Sequence, residues 1–178
     1  MSKILENPRG ALIAEARRQV NEIGYSKMTI RSVAAKCGIG TGTVYNYFKS
    51  KEMLVASFMS EDWHATVAKI EKEISGVQKP MEACEVVFNA VLEFSSKNET
   101  LFKDKEAVKI YSSASGKGHE RLVLQLSHYI GPYCEKYARS YTPELPDFIS
   151  EAIISRVLAG KDFAGLKNII CQLFKEDC

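Results

Sequence analysis

Residues 37–54 read CGIGTGTVYNYFKSKEML, and this stretch decides how the first third of the chain is interpreted. Glycines at positions 38, 40 and 42 give the backbone unusual conformational freedom. Two tyrosines, an asparagine, a phenylalanine and two lysines follow at once. The helices on either side of this stretch must explain why a permissive backbone lies beside aromatic, amide and basic side chains.

Capping residues and apolar spacing predict three helices in this region. Asn7-Pro8 begins the first, because Asn can cap a helix and Pro fits its first turn, and Gly24 ends it. Thr29 caps a second helix that ends at Gly38. A short third helix is expected from about Thr41 to Phe48.

The remainder of the chain also has helical patterns, with no alternating apolar pattern that would indicate strands. The predicted segments are 50–75, 80–97, one capped by Asn98, about 119–140, 146–158 and 162–174. Gly131-Pro132 is expected to interrupt the long fourth segment of this group with a kink. The predicted fold is all-α with about nine helices.

The second and third helices have the spacing of a helix-turn-helix. Ala34 is small enough for two helix backbones to cross closely, and Gly38 suits the left-handed turn that follows. Val44 then returns to the core six residues later. In a helix-turn-helix, the second of the two helices is presented to the major groove of DNA. We therefore expect residues 41–48 to read DNA.

The side chains of this reader helix match the groups that contact DNA. Thr41, Thr43 and Asn46 can hydrogen-bond to base edges or phosphates, and Gly42 allows the backbone to approach closely. The tyrosine hydroxyls and the lysines suit phosphate oxygens: Tyr45, Tyr47, Lys49 and Lys51. The alternative is that the tyrosines belong to a packed aromatic cluster, as we expect for Phe48.

The segment TVYNYFKSKEML resembles the corresponding part of the tetracycline-repressor (TetR) family of bacterial transcriptional regulators. The resemblance covers about Ala11 to Leu54 and rests on Thr29, Gly38, Val44, Tyr45, Phe48, Lys49, Lys51 and Glu52. It implies an N-terminal helix-turn-helix DNA-binding domain at residues 1–50, in which Thr29 is also a site residue. It further implies a helical ligand-binding and dimerisation domain at residues 51–178.

The charge distribution agrees with DNA binding at the N-terminal end. Residues 1–54 hold nine Lys or Arg and four Asp or Glu, so 9 − 4 = +5. The other residues hold fifteen and eighteen of these groups, so 15 − 18 = −3, within a net charge of +2. A basic end on an acidic body is typical of a protein that meets a polyanion with one end.

Family resemblance implies a homodimer held by the last two helices. These helices carry wide apolar surfaces, and the residues expected at the dimer interface are Phe148, Ile149, Ala152, Ile153, Val157, Phe163, Leu166, Ile170 and Leu173. The alternative for the same residues is an ordinary internal core.

The resemblance also implies a cavity for a small-molecule inducer, whose identity stays open. Aromatic residues with polar tips or apolar neighbours are the candidates: Trp63, Phe88, Tyr111, His128, Tyr129 and Tyr133. An aromatic residue at helical spacing is also compatible with plain core packing.

Other function classes receive little support from the sequence. We find no cluster of nucleophile, base and orienting residue for an enzyme, and no ligand spacing among His or Cys for a metal or other cofactor. The N-terminus has no apolar signal-peptide segment, so we expect a cytoplasmic protein. The predicted function is a ligand-responsive transcriptional regulator, most simply a repressor that an inducer releases from its operator. The second reading is a helical interaction adaptor whose helix-turn-helix does not bind DNA.

Overall fold

The computed structural model of the chain describes residues 6–108 and 116–175. Nine helices lie wholly within these ranges, and residues 105–108 are also helical. Their bounds are α1 Pro8–Ile23, α2 Ile30–Cys37, α3 Thr41–Tyr47, α4 Lys51–Ile74, α5 Pro80–Lys97, α6 Glu99–Lys103, α7 Gly116–Tyr137, α8 Leu145–Leu158 and α9 Ala164–Leu173. The all-α prediction is confirmed.

The chain divides into two compact units. The N-terminal unit is Met1–His64 together with Asn98–Ser112, and the body unit is Ala65–Lys97 together with Ser113–Cys178. Helix α4 therefore begins in the first unit and ends in the second.

The core of the N-terminal unit is formed where α2 contacts both α1 and α3, and where α6 packs on α1. Its buried side chains include Leu12, Val20, Tyr25, Met28, Val33, Val44, Phe48, Leu54, Phe58 and Leu101. The predicted caps are present: Asn7 accepts a hydrogen bond from the Gly10 amide at 2.9 Å, and Thr29 accepts one from the Ser32 amide at 3.0 Å. The Ser32 hydroxyl is 3.2 Å from the Thr29 amide, which completes a reciprocal capping box.

The body unit is built mainly on α5, α7 and α8, which contact one another pairwise. Helix α9 adds to α8 and α5, where the Phe163 ring lies 5.2 Å from the ring of Phe88. A single antiparallel bridge pairs Ala138 with Phe174, so the ends of α7 and α9 are joined by backbone hydrogen bonds. None of the helices in the described ranges combines the length and the apolar composition that a bilayer span needs.

Gly131-Pro132 does not end the helix, and the kink expected there stays a prediction. Helix α7 continues through Pro132 to Tyr137. A proline inside a helix loses one backbone hydrogen bond and costs about 3 kcal/mol. The packing of one face, with Leu126, Ile130 and Cys134 all buried, offsets this loss. Sequence alone shows the proline but does not show how well the opposite face is packed.

Candidate nucleic-acid interface

The turn between α2 and α3 places the two helices of the motif. Gly38 has a left-handed backbone, with φ of 69°. The Ile39 amide donates a hydrogen bond to the Ala34 carbonyl at 3.1 Å, which closes the end of α2. A Cβ at Gly38 would meet no atom within 4 Å. The glycine therefore serves the backbone conformation and not a close contact.

Helix α3 has one face in the core and the others in solvent. Val44 is the buried residue of this helix, and Phe48, which follows it, is also buried. Thr41 is half-buried, and the exposed residues are Gly42, Thr43, Tyr45, Asn46 and Tyr47. Of the residues that the sequence assigned to DNA, those on α3 thus share its solvent-exposed surface, apart from Thr41 at its edge.

The two tyrosines of α3 are unusually exposed for large aromatic residues. Tyr45 is 46% exposed and Tyr47 is 43% exposed, although the Tyr47 ring lies 6.5 Å from the ring of Phe48. A packed aromatic cluster would bury them, as it buries Phe48. A Cβ added at Gly42 would likewise meet nothing within 4 Å. Packing within this chain therefore explains neither the exposed rings nor the glycine.

The predicted basic contacts differ in their surroundings. Lys49 is exposed, and its ammonium group donates a hydrogen bond to the Tyr45 carbonyl at 3.4 Å. Lys51 is half-buried, with its Nζ 3.9 Å from the centre of the Tyr25 ring. Thr29 is exposed, but its hydroxyl oxygen already caps α2.

Buried polar groups that the sequence analysis missed hold this unit together. The Asp62 carboxylate of α4 accepts hydrogen bonds from Arg17 on α1 and from the Asn98 side-chain amide, the latter at 3.3 Å. The Asn98 side chain makes no capping bond to α6, so the predicted role of Asn98 as a side-chain cap is wrong. Its amide satisfies a buried carboxylate instead, which no local sequence signal could reveal.

A second carboxylate ties the α1–α2 turn to the segment after α6. Asp104 accepts hydrogen bonds from the amide and hydroxyl of Ser26 and from the amides of Glu106 and Ala107, at 2.9 to 3.2 Å. Burial opposes ionisation of Asp104, but these hydrogen bonds outweigh it and lower the pKa of the carboxyl group. Asp104 is therefore an anion at neutral pH, fixed against the helix-turn-helix.

A family model described as "bacterial regulatory proteins, tetR family" matches residues 12–58, the segment that contains α1, α2, α3 and the start of α4. Residues 12–58 of the chain are therefore similar to the DNA-binding segment of TetR-family regulators. One relative is the HTH-type transcriptional regulator UidR of Escherichia coli K12, 28% identical over 69 residues, which are 39% of this chain and 35% of UidR. Another is the fatty acid metabolism regulator protein of Bacillus subtilis, 30% identical over 63 residues, which are 35% and 32% of the two chains. The matches thus span about a third of the length of these relatives.

Solved structures share the TetR-family fold over nearly the whole chain. A TetR-family transcriptional regulator from Pectobacterium atrosepticum superposes with a TM-score of 0.78 at 17% identity and covers 97% of both chains. A structure described as the superantigen PfiT superposes with a TM-score of 0.66 at 20% identity, over 97% of this chain and 98% of PfiT. Similarity at this level of identity establishes the fold of the chain and no activity.

The candidate inducer residues do not form one group. Trp63 belongs to the N-terminal unit, Phe88 is buried against Phe163, and Tyr111 lies outside the described residues. The other three lie along one helix, α7: His128, Tyr129 and Tyr133. Tyr129 donates a hydrogen bond to Glu71 at 2.9 Å, and Tyr133 donates one to the Val77 carbonyl at 3.0 Å. Burial and then Glu71 raise the pKa of Tyr129 to about 12.

An open cleft of about 480 Å³ lies on the body unit. It is lined by His119, Glu120, Val123, Leu124, Glu144, Asp147, Phe148 and Glu151. His119 lies 2.9 Å from a carboxylate oxygen of Glu151 at its edge. None of the described inducer candidates belongs to this lining.

Most of the residues expected at a dimer interface are internal. Six of them are buried within the protomer: Ile149, Ile153, Val157, Phe163, Leu166 and Ile170. Ala152 and Leu173 are half-buried, and Phe148 is 60% exposed. The same two helices also expose Leu158 at 59% and Ile169 at 53%. Periodicity predicted that both helices carry wide apolar surfaces, but it could not tell which apolar face already packs within the protomer.

Proposed function

We propose that this protein is a sequence-specific DNA-binding transcriptional regulator that a small molecule controls, and specifically a repressor released from its operator by an inducer. The observation that carries the proposal is the outward face of α3. Val44 anchors the helix in the core while Thr43, Asn46 and both tyrosines point away from it. A short helix held in this way after a helix-turn-helix turn is the element that enters the major groove.

The exposed side chains sort into two kinds of contact. Thr43 and Asn46 are proposed to read base edges, since an amide can bond bidentately to adenine. Tyr45, Tyr47, Lys49 and Lys51 are proposed to contact phosphates, which position the protein without reading sequence. Thr41 lies at the half-buried edge of α3 and is proposed to contact the adjacent phosphate.

The dimer proposed for this chain uses the exposed apolar side chains of the last two helices. Phe148 and Leu158 are ten residues apart on α8, and Ile169 lies on α9. Large apolar side chains exposed this far on neighbouring helices favour association with a partner of the same kind. A two-fold dimer would present two α3 helices to half-sites about 34–36 Å apart.

The division of labour proposed here places the DNA-binding domain at residues 1–50, with the phosphate contact of Lys51 at its border, and ligand binding and dimerisation in residues 51–178. The inducer must bind one state of the dimer better than the other, because a ligand with equal affinity for both states shifts nothing. Its chemistry stays unassigned. A cytoplasmic location and the absence of an enzymatic activity belong to the same proposal, since a regulator of this kind needs only to bind operator DNA and its inducer.

The second candidate is a helical interaction adaptor whose helix-turn-helix does not bind DNA. PfiT, which shares this overall fold, is described as a superantigen and not as a transcriptional regulator. The exposed Thr43, Asn46, Tyr45 and Tyr47 favour DNA binding, because an adaptor would have no need for this set on α3.

Selection of duplexes from a random library by the full-length protein separates the two functions. The proposal predicts enrichment of a site with two-fold symmetry, and a mobility shift of that duplex at concentrations that leave scrambled duplex free. Recovery of unenriched sequences only, from protein that is folded by circular dichroism, would contradict DNA-specific regulation and favour the adaptor.

A further inference from the structure

One aromatic ring contacts two successive residues at the start of α4. Tyr25 lies just after the end of α1 and is fully buried. The ammonium group of Lys51 sits over the ring at 3.9 Å from its centre. The phenol hydroxyl donates a hydrogen bond of 3.0 Å to the carboxylate of Glu52. The Tyr25 side chain therefore contacts a positive group with the face of its ring and a negative group with its hydroxyl group.

We propose that Tyr25 is a positioning residue for DNA binding, which holds the Lys51 ammonium group where it meets a phosphate of the duplex. This inference rests on the proposed function, because it assigns a role within the same interface. Tyr25 itself is buried and touches no DNA. It acts through Lys51, which is half-buried at the beginning of α4.

The attraction of an ammonium group to an aromatic face explains the position of Lys51. A lysine side chain carries large rotamer entropy and is normally well hydrated, so a free lysine would spread over many orientations. A ring face within about 6 Å of the cation restricts it by cation–π attraction. One side of the ammonium group then faces the ring, and its remaining N–H donors are available to a phosphate oxygen.

The hydrogen bond from the Tyr25 hydroxyl group to Glu52 fixes the second contact of the Tyr25 side chain with α4. Hydrogen bonds from Ser50, then from the backbone, and also from Tyr25, lower the pKa of Glu52, so its carboxylate is ionised at neutral pH. A negative charge in the first turn of α4 also suits the helix dipole. Tyr25 thus ties the first turn of α4 to the end of α1, while α3 lies between them in sequence.

A purely structural role would make different demands on this site. The hydroxyl group of Tyr25 bonds to Glu52 and serves the attachment of α4, whereas the ring face contacts Lys51. A ring that only filled the core would not need the Lys51 cation on its face. The two roles can be separated because the proposal couples Tyr25 to one particular lysine.

A double-mutant cycle on the full-length protein tests the coupling. The duplex is the one selected above, with a mixed-sequence duplex beside it, and affinity is measured by anisotropy. Tyr25→Leu is expected to weaken binding about three- to tenfold when Lys51 is present, and less than about twofold in a Lys51→Met background. Tyr25→Phe, which keeps the ring, is expected to recover the binding that Tyr25→Leu loses. The control cycle with Lys49→Met should be additive, since Lys49 does not lie over the ring.

Equal losses from Tyr25→Leu in the two Lys51 backgrounds would overturn the proposal, and so would a Tyr25→Phe variant that binds as weakly as Tyr25→Leu. Should Tyr25→Leu fail to fold, nuclear magnetic resonance of the unsubstituted protein decides. The Lys51 ε-methylene protons should be shifted upfield by the ring current, and random-coil positions would overturn the proposal. Absence of selective duplex binding by the parent protein would instead contradict the proposed function.

Discussion

The carboxylate of Asp62 is buried against the guanidinium group of Arg17, with 2.5 Å between Oδ2 and Nη1. The same guanidinium donates a hydrogen bond to the Phe58 carbonyl at 3.3 Å and lies over the Phe58 ring at 4.7 Å. A single arginine on α1 thereby joins a charge, a backbone group and an aromatic face of α4. This contact holds the first half of α4 against α1.

Removing the charge of Arg17 should destabilise the N-terminal unit strongly. Arg17→Met leaves the Asp62 anion buried without its cation, and we expect a loss of about 3 kcal/mol, at the low end for buried pairs because Arg17 is partly exposed. Arg18→Met is the matched control, since Arg18 is paired with Glu15 and Glu22 on the surface and should cost less than about 1 kcal/mol. Urea unfolding measures both, and similar losses would contradict this interpretation.

Two glycines of the same motif should respond in opposite ways to alanine. Gly38→Ala forces a left-handed backbone on a residue with a Cβ, and we expect a loss of about 1–2 kcal/mol of stability. Gly42→Ala places a methyl group in open space and should leave stability unchanged or raise it by up to about 1 kcal/mol. If the backbone at Gly42 approaches DNA closely, the same change weakens binding to the selected duplex. Thermal melts and anisotropy titrations measure the two effects, and undiminished binding by Gly42→Ala would rule out the close approach.

The stability contribution of Asp104 should depend on pH. Its carboxyl pKa is lowered in the folded state, so the stabilisation is complete above the unfolded pKa of about 3.9 and is lost as the pH falls through the folded value. Asp104→Asn should therefore be less stable than the parent at pH 7, and this difference should shrink below about pH 4. Urea unfolding across this pH range, with the exposed Glu85→Gln as control, gives the measurement. A difference that stays constant down to pH 2 would show that Asp104 does not act through its charge.

Association of the chain should depend on the exposed apolar side chains of α8 and α9. Leu158→Asp introduces a charge at an exposed position, so it should convert a dimer to a monomer without lowering the melting temperature of the protomer. Leu92→Asp on α5 is the control, because it introduces the same charge at another exposed leucine of the body unit. Light scattering after size exclusion measures the mass. A Leu158→Asp variant that remains dimeric at micromolar concentration would exclude this face as the interface.

Local chemistry made much of this fold predictable from the sequence. Asn7 and Thr29 act within three or four residues of themselves, and each accepts the capping hydrogen bond expected of it. The turn at Gly38 is predictable because a left-handed backbone between two amphipathic segments strongly favours glycine. The outward position of Asn46 followed from the same reasoning, since Val44 fixes which side of α3 is buried.

Contacts between distant parts of the chain could not be predicted in this way. Asn98 resembles a helix cap in sequence, but its amide bonds to Asp62, 36 positions earlier. On α8, Phe148 and Ile149 are equally apolar, yet one is exposed and the other buried. A helix that is apolar over a wide surface does not reveal which side its neighbours cover.

The most direct test of the account compares the parent protein with Asn46→Ala and Lys49→Ala on the selected duplex and on a scrambled duplex, each at several salt concentrations. Asn46→Ala should reduce the difference between the two duplexes by about 1–3 kcal/mol, because a base contact is lost. Lys49→Ala should weaken binding to both duplexes alike and reduce the slope of log affinity against log salt by about one. A parent protein that binds both duplexes equally, or an Asn46→Ala variant that keeps the full preference, would contradict the claim that α3 reads the operator through its exposed face.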